Sequence, residues 1–295
     1  MEVVEDANDL VLPVVTPVAQ PLPLLPYPTM KESWGILGWY LAVAIVVGTP
    51  VYVVLNKALH LSKTAALLAI LPVVNLALLG WLRRRAGARW VRLQLTGREQ
   101  WWVYAVLPVL VLALAMVLSL QQLLHLPDWN GKTFEKATQT PLFATVIIVL
   151  AGPIFEELLF RGVILQGLLR SHRPWVAIAQ SAVLFGIMHL NPTQSINAVF
   201  IGLVFGWLYY RTRSLWLCMA SHCLFNSLAF GSRFAQAWLK PATKSPHVAT
   251  TVWMHYAVGV AVSAVILAVI LWYIRQTTAE ILPKNPDYVV STGAV

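Results

Sequence analysis

The stretch PLFATVIIVLAGPIFEELLFRGVILQGLL, residues 141–169, decides how this chain folds. It is almost entirely apolar, and it is longer than the roughly 20 residues that an α-helix needs to cross about 30 Å of hydrocarbon. It nevertheless carries Glu156, Glu157 and Arg161, just after a Gly152-Pro153 pair that bends or restarts a helix. The stretch therefore predicts a membrane helix with charged side chains inside the bilayer.

The rest of the chain has the same apolar character. It has 295 residues, of which 58% are hydrophobic and 11% charged, and its mean hydropathy is +0.69. A soluble core of this length does not need so much apolar surface. We therefore predict an all-α, polytopic bundle of transmembrane helices with about eight spans, over residues 34–55, 65–82, 102–124, 141–169, 174–190, 195–210, 214–231 and 252–274.

These spans divide the chain into five predicted parts. A proline-rich, flexible tail (1–33) precedes the N-terminal membrane helices (34–124). A core with the polar motifs (140–231) is followed by the final membrane helix (252–274) and a C-terminal tail (275–295). Cys218 and Cys223 lie five residues apart in one apolar run, so we expect them to be unpaired core residues.

The basic residues predict the orientation in the membrane. The formal charge of +9 comes from short loops between apolar runs, which favours topology signals over nucleic-acid binding. Thirteen Lys and Arg residues fall on one side and seven on the other, so both termini are expected in the cytoplasm, with a prokaryotic plasma membrane as the expected location. The thirteen are Lys31, Arg83, Arg84, Arg85, Arg89, Arg92, Arg98, Arg170, Arg173, Arg211, Arg213, Arg275 and Lys284; the seven are Lys57, Lys63, Lys132, Lys136, Arg233, Lys240 and Lys244.

The charged motif itself separates into two parts. Glu157 and Arg161 are i,i+4 on one helix face, where they can neutralise each other as a packing clamp. The Glu156 side chain is turned about 100° away from that of Glu157 around the helix axis, and it has no local partner. Because an ionisable group inside a membrane costs about 2.5–3.5 kcal/mol on insertion scales, an unpaired one indicates a functional site.

Two further polar pairs follow in the next apolar spans. Phe185 and His189 are i,i+4, as are His222 and Asn226. Taken separately, a lone histidine near a helix end, such as His189, is more often a hydrogen-bonded core or interfacial residue than a catalytic one. The pair of His222 and Asn226 is equally well explained by hydrogen bonds that hold neighbouring helices together.

Taken together, the three motifs favour chemistry. The basic turn at 170–174 predicts an antiparallel hairpin in which Glu156 and His189 lie equally far from the turn and so at similar depth. A carboxylate and an imidazole at one level can hold and deprotonate a water. His222 and Asn226 could then stabilise the oxyanion that forms when the water attacks a carbonyl, which completes the set needed for amide hydrolysis.

One difficulty concerns depth. On a straight helix Glu156 and His189 would lie about 24 Å from the basic turn at 170–173, whereas His222 lies about half as far from the basic turn at Arg211 and Arg213. Helix tilt, or a break at Gly152-Pro153, is expected to reconcile the two depths.

The ordered motifs E-E-x-x-x-R, F-x-x-x-H and H-x-x-x-N resemble the CAAX-protease and bacteriocin-processing family of intramembrane endopeptidases, which includes the type II CAAX prenyl endopeptidases. The resemblance covers residues 140–231 and implies that this part is the catalytic core. It implies that Glu156 is the general base and His189 orients the water, that His222 and Asn226 stabilise the oxyanion, and that Glu157, Arg161 and Phe185 support them.

The family has been described both as metalloproteases and as glutamate proteases. The sequence has no H-E-x-x-H motif, so we favour a mechanism without a metal. If a divalent metal such as zinc is needed, its ligands would be Glu156, His189 and His222.

The apolar composition leaves two other function classes open. One is a non-catalytic immunity or scaffold protein of the membrane, which loss of Glu156 or of either histidine would have favoured. The other is a transporter that uses Glu156 as a proton relay, which would predict paired, repeat-related broken helices. The expected partners are the lipid bilayer and a membrane-associated protein or peptide substrate, with a prenylated C-terminus as one option, and no nucleic acid.

Overall fold

The computed structural model describes residues 25–97, 100–137, 141–238 and 246–278, and within these ranges the chain is helical with no β-strand, which confirms the all-α prediction. The helices are α1 (Met30–Ala58), α2 (Lys63–Ala86), α3 (Trp101–Leu118), α4 (Gly131–Ala137), α5 (from Pro141 to Leu168), α6 (Pro174–Met188), α7 (Pro192–Thr212), α8 (Leu215–Trp238) and α9 (Pro246–Thr277).

Five of these helices, α1, α2, α3, α5 and α9, are long and apolar enough to cross a membrane by themselves. Helix α6 is apolar but shorter, at 15 residues. The count of eight spans therefore stays a prediction, although a helix occupies each of the eight predicted positions. The short helix α4 was not predicted.

Both predicted tails lie largely outside the described residues, as do Arg98, Lys240, Lys244 and Lys284. Where the N-terminal tail is described, it is packed against the bundle. Tyr27 is buried, and α1 begins at Met30, capped by Thr29. The first helix thus starts four residues before the predicted span because Thr29 and Glu32 form a capping box. Cys218 and Cys223 are not joined in a disulfide, as expected.

Polar contacts gather several loops at one end of the bundle, which we call the basic end. Arg89 binds the Glu32 carboxylate at 2.7 Å, and Gln166 donates to the backbone carbonyl of Arg92 at 2.8 Å. Arg211 donates to the carbonyl of Arg275. The loops that the sequence analysis placed on the arginine-rich side therefore lie together.

The opposite end carries the connection 125–130. Thr193, at the start of α7, donates to the carbonyls of Leu126 and Pro127, each at 3.0 Å. The Asn191 amide donates to Asp128 at 2.9 Å. These contacts hold the loop that follows α3 against the start of α7.

Helices α6 and α7 form the most extensively packed pair. A Cβ at Gly202 would lie 2.8 Å from the Cα of Ala182, and one at Gly186 would lie 2.8 Å from the Ser195 carbonyl oxygen. Glycines thus let the two backbones approach closely, as small residues do between membrane helices. This packing fixes the short connection between the helices, which contains His189.

Helix α5 is not broken at Gly152-Pro153, so the expected interruption was wrong. The helix continues through a regular α-helical segment, Gly152–Glu157, between two wider π-helical segments, Thr145–Ala151 and Leu158–Leu165. The π-helical turn before Pro153 accommodates the proline. Such bulges are frequent at functional sites.

The difficulty over depth is resolved by where α8 begins. Trp216 donates its backbone N–H to the Leu95 carbonyl at 3.0 Å, and a Cβ at Gly162 would meet Leu215 at 3.3 Å. The start of α8 therefore lies level with Gly162, deeper in the bundle than the turn at 170–173. Counted from this level, Glu156 lies six residues along α5 and His222 lies seven residues along α8. The two side chains therefore reach a similar depth.

Candidate active site

A cavity of about 430 Å³ lies among α1, α2, α5, α6, α7 and α8. The four residues predicted to carry the chemistry all line it: Glu156, His189, His222 and Asn226. They come from α5, from the end of α6 and from α8. The structure thus brings together residues that are up to 70 positions apart in sequence.

The register of the α5–α6 hairpin explains why Glu156 and His189 reach the same cavity. The Phe160 and Phe185 rings are 4.9 Å apart, and the two residues are equally distant in sequence from the centre of the turn at 172–173. Glu156 lies one helical turn beyond Phe160, and His189 lies one turn beyond Phe185. The antiparallel register predicted from the basic turn is therefore the one observed.

The two adjacent glutamates have different surroundings. Glu156 keeps 29% of its side chain exposed, and its Oε2 lies 3.7 Å from Nε2 of His222. Glu157 is fully buried, and its Oε1 accepts hydrogen bonds from Nη1 of Arg161 and from Nδ1 of His222, each at 2.8 Å. The expected Glu157–Arg161 pair is thus present, and it also holds a histidine of the cavity.

Aromatic rings enclose the buried ion pair. The Arg161 guanidinium lies 5.0 Å from the centre of the Phe185 ring and 5.8 Å from that of Phe205. The Phe185 ring also meets the rings of His189 and His222 edge-on, at 4.9 and 5.7 Å. Phe185 therefore supports both histidines and the arginine at once, whereas Phe205 was not identified from sequence.

The backbone of α6 fixes the ring of His189. Its Nδ1 lies 2.9 Å from the Phe185 carbonyl oxygen, one turn earlier in the helix. Because a carbonyl only accepts, Nδ1 carries the proton in this arrangement. In the neutral imidazole, Nε2 of His189 is then the acceptor that can bind a group in the cavity.

Asn226 compensates for the proline in α5. In the π-helical segment each N–H binds the carbonyl five residues earlier, as Gly152 does with Ile147. The next donor would be Pro153, which has no N–H. The Asn226 side chain donates instead to the Ile148 carbonyl at 2.9 Å. Asn226 therefore has a structural contact in addition to its place on the cavity wall.

Several cavity residues were missed by the sequence analysis. Tyr40 and Asn75 contribute from α1 and α2, and Asn130, Gln194 and Asn197 contribute from the opposite end. Asn75, an amide within an apolar span, gave a signal that could have been noticed. The others lie in segments whose proximity to α5 depends on tertiary packing.

The described residues contain no group of three or more His, Cys, Asp and Glu side chains placed to hold a metal ion. Glu156 and His222 approach each other at 3.7 Å. The alternative ligand set of Glu156, His189 and His222 stays a prediction.

Comparison with known proteins gives two matches that cover part of the chain. Residues 138–228 match the family model "Type II CAAX prenyl endopeptidase Rce1-like", which confirms the resemblance predicted from the three motifs. A Bacillus subtilis protein named "Putative membrane peptidase YdiL" is 30% identical over 98 residues, which are 33% of this chain and 40% of that protein. The chain thus spans two fifths of the length of this relative. No solved structure matches the chain.

Proposed function

We propose that this protein is an intramembrane endopeptidase that hydrolyses a peptide bond in a membrane-associated protein. The match of residues 138–228 to the Rce1-like family supports a protease. One observation carries the assignment of roles: of two adjacent glutamates, Glu157 is buried in an ion pair, whereas Glu156 is partly exposed on the cavity wall beside His222.

In the first step, Glu156 and Nε2 of His189 hold a water molecule in the cavity. Glu156 takes a proton from the water as the oxygen attacks the carbonyl carbon of the scissile bond. The electron pair of the carbonyl moves onto its oxygen, which becomes the oxyanion. Nε2–H of His222 and the remaining amide hydrogen of Asn226 donate to this oxyanion. Glu156 then passes its proton to the leaving nitrogen as the C–N bond breaks, which releases an amine and a carboxylic acid.

The charges of the site fit this role for His222. Glu157 accepts from Nδ1, so that nitrogen carries a proton. The proposed role also requires a proton on Nε2, which lies 3.7 Å from Oε2 of Glu156. A ring that carries both protons is a strong donor to an oxyanion.

The apolar part of the cavity wall favours a substrate that has an apolar portion. Leu68, Leu71, Ile147, Phe225 and Phe230 line one part of it. A prenylated C-terminus, which the name of the matched family describes, is one candidate for that portion.

The test is cleavage of a peptide library, with and without prenylated C-termini, by purified protein in detergent, followed by mass spectrometry. We expect Glu156→Gln to lower the cleavage rate by about 10²- to 10⁴-fold, the usual contribution of a general base, with little change in melting temperature. Glu135→Gln, on the exposed face of α4, is the matched control and should cleave like the wild type. Full activity of Glu156→Gln would contradict the assigned role.

A chelator distinguishes the two mechanisms. We expect EDTA to leave the cleavage rate unchanged if Glu156 alone activates the water. Loss of activity that zinc restores would favour the metal-dependent alternative with Glu156, His189 and His222 as ligands.

A further inference from the structure

The basic residues of the described part of the chain lie mainly at one end of the bundle. By their positions along the chain, eleven Lys and Arg residues belong to the basic end and five to the opposite end. The contacts of Arg89, Gln166 and Arg211 show that the loops of the first group meet in space. By the positive-inside rule the basic end faces the cytoplasm. The eleven are Lys31, Arg83, Arg84, Arg85, Arg89, Arg92, Arg170, Arg173, Arg211, Arg213 and Arg275; the five are Lys57, Lys63, Lys132, Lys136 and Arg233.

The cavity extends toward the opposite end. Its lining residues on α7 run from Thr193 to Ile201, in the half of the helix that begins at that end. Those on α2 run from Leu68 to Asn75, also nearer the opposite end. Asn130, in the connection after α3, forms part of the rim. The cavity therefore leads from Glu156 toward the end with fewer basic residues.

The rim carries uncharged hydrogen-bonding groups. The Asn130 amide donates to Gln194 at 3.2 Å, and the Asn197 amide donates to Gln121 at 3.3 Å. Oδ1 of Asn197 is buried and has no hydrogen-bond partner among the described residues. A buried carbonyl oxygen without a partner costs about 1–3 kcal/mol, which a donor from a bound molecule would recover.

We propose that the cavity receives a polypeptide segment from the side of the membrane opposite the cytoplasm, through the rim formed by Asn130, Gln194 and Asn197. A peptide main chain supplies the N–H donor that Oδ1 of Asn197 lacks. The substrate class rests on the proposed function, whereas the route of access does not. The substrate is then a segment of an exported or membrane protein exposed on the non-cytoplasmic face. This route disfavours the prenylated C-terminus given above as a candidate for the apolar portion, because such a tail would lie on the cytoplasmic face.

Cysteine labelling tests the route without any need for activity. In a background with Cys218 and Cys223 replaced by alanine, single cysteines are placed at Gln194 in the rim, at exposed Thr133 on the opposite end and at exposed Ala88 on the basic end. Intact cells are treated with a membrane-impermeant maleimide before and after permeabilisation. Size-exclusion chromatography confirms that each variant is folded.

We expect Thr133→Cys and Gln194→Cys to react in intact cells, and Ala88→Cys only after permeabilisation. The reverse pattern for Thr133→Cys and Ala88→Cys would overturn the orientation. Labelling of Thr133→Cys without labelling of Gln194→Cys would overturn the aqueous route through the rim.

Kinetics test the role of Asn197. If Oδ1 of Asn197 accepts a peptide N–H, Asn197→Leu should raise KM for a cleaved peptide about tenfold, which corresponds to about 1.4 kcal/mol, with kcat little changed. Gln122→Leu, at an exposed position near Gln121, is the control and should keep the wild-type KM. An unchanged KM in a folded Asn197→Leu variant would overturn the contact, whereas absence of cleavage by the wild type would count against the proposed function instead.

Discussion

Helix α5 presents two faces that differ sharply although they begin at adjacent residues. On the buried face, Glu157 and Arg161 are enclosed by the rings of Phe185 and Phe205. On the cavity face, Glu156 is partly exposed beside His222. One step along a helix turns a side chain by about 100°, and here it separates a charge that is neutralised by structure from one that remains available for reaction.

Removing the buried cation should have the largest effect on the buried face of α5. We expect Arg161→Leu to lower the free energy of unfolding by about 3–5 kcal/mol, because Glu157 would keep a buried charge without its main partner. Expression yield and thermal melting in detergent measure this loss. Glu157→Gln should show a similar loss and should harm folding more than Glu156→Gln does. Equal melting and equal loss of activity for both glutamate variants would contradict the division between the two faces.

A double substitution separates the contribution of the buried ion pair to stability from the effect of Glu157 on His222. Glu157→Leu combined with Arg161→Leu should recover most of the stability lost in Arg161→Leu alone, since apolar residues can replace a buried ion pair without penalty. Activity should nevertheless stay at least about tenfold low, because Nδ1 of His222 loses the carboxylate that orients it. Recovery of activity together with stability would show that Glu157 acts only in packing.

Asn226 has two roles, since it binds the backbone of α5 and also lines the cavity. We expect Asn226→Leu to lower the free energy of unfolding by about 1–3 kcal/mol, because the Ile148 carbonyl loses its donor. In a Pro153→Ala background, where residue 153 regains an N–H, the same substitution should cost less. A cycle of the four proteins measures this difference, and equal costs in both backgrounds would contradict the compensation.

The smallest expected effect is that of Phe185→Leu. It removes the ring contacts with Arg161, His189 and His222 but keeps an apolar side chain, so we expect a loss of about 0.5–1.5 kcal/mol in stability. The rate of peptide cleavage should fall as well, because both histidines lose a neighbour that restricts their rings. Unchanged stability and activity would show that the backbone contact of His189 alone is sufficient.

Much of this site follows from local spacing. The i,i+4 relation predicted the Glu157–Arg161 pair, and the basic turn at 170–173 predicted the register that brings Glu156 and His189 to one cavity. Helix periodicity and hairpin symmetry depend only on residues near each other in sequence, which is why they could be inferred.

The contacts that could not be predicted join distant helices. His222 binds Glu157 across 65 positions, and this depends on where α8 begins relative to α5. That level is set by the non-helical segment 90–97, which binds the start of α8 through the carbonyls of Gln94 and Leu95 and has no apolar period to reveal it. The π-helical turns of α5 were missed for a related reason, since a proline in the sequence indicates a break as readily as a bulge.

The bond between Asn226 and Ile148 has a consequence for biogenesis. The two residues are 78 positions apart, and at about 5–20 residues per second the ribosome needs on the order of 4–16 s to reach Asn226 after Ile148. During that time the newly inserted α5 has a carbonyl without its donor and a buried pair that still lacks His222. Synthesis of α8 therefore completes a helix that entered the membrane earlier, and a chain truncated before α8 would present these polar groups to the insertion machinery.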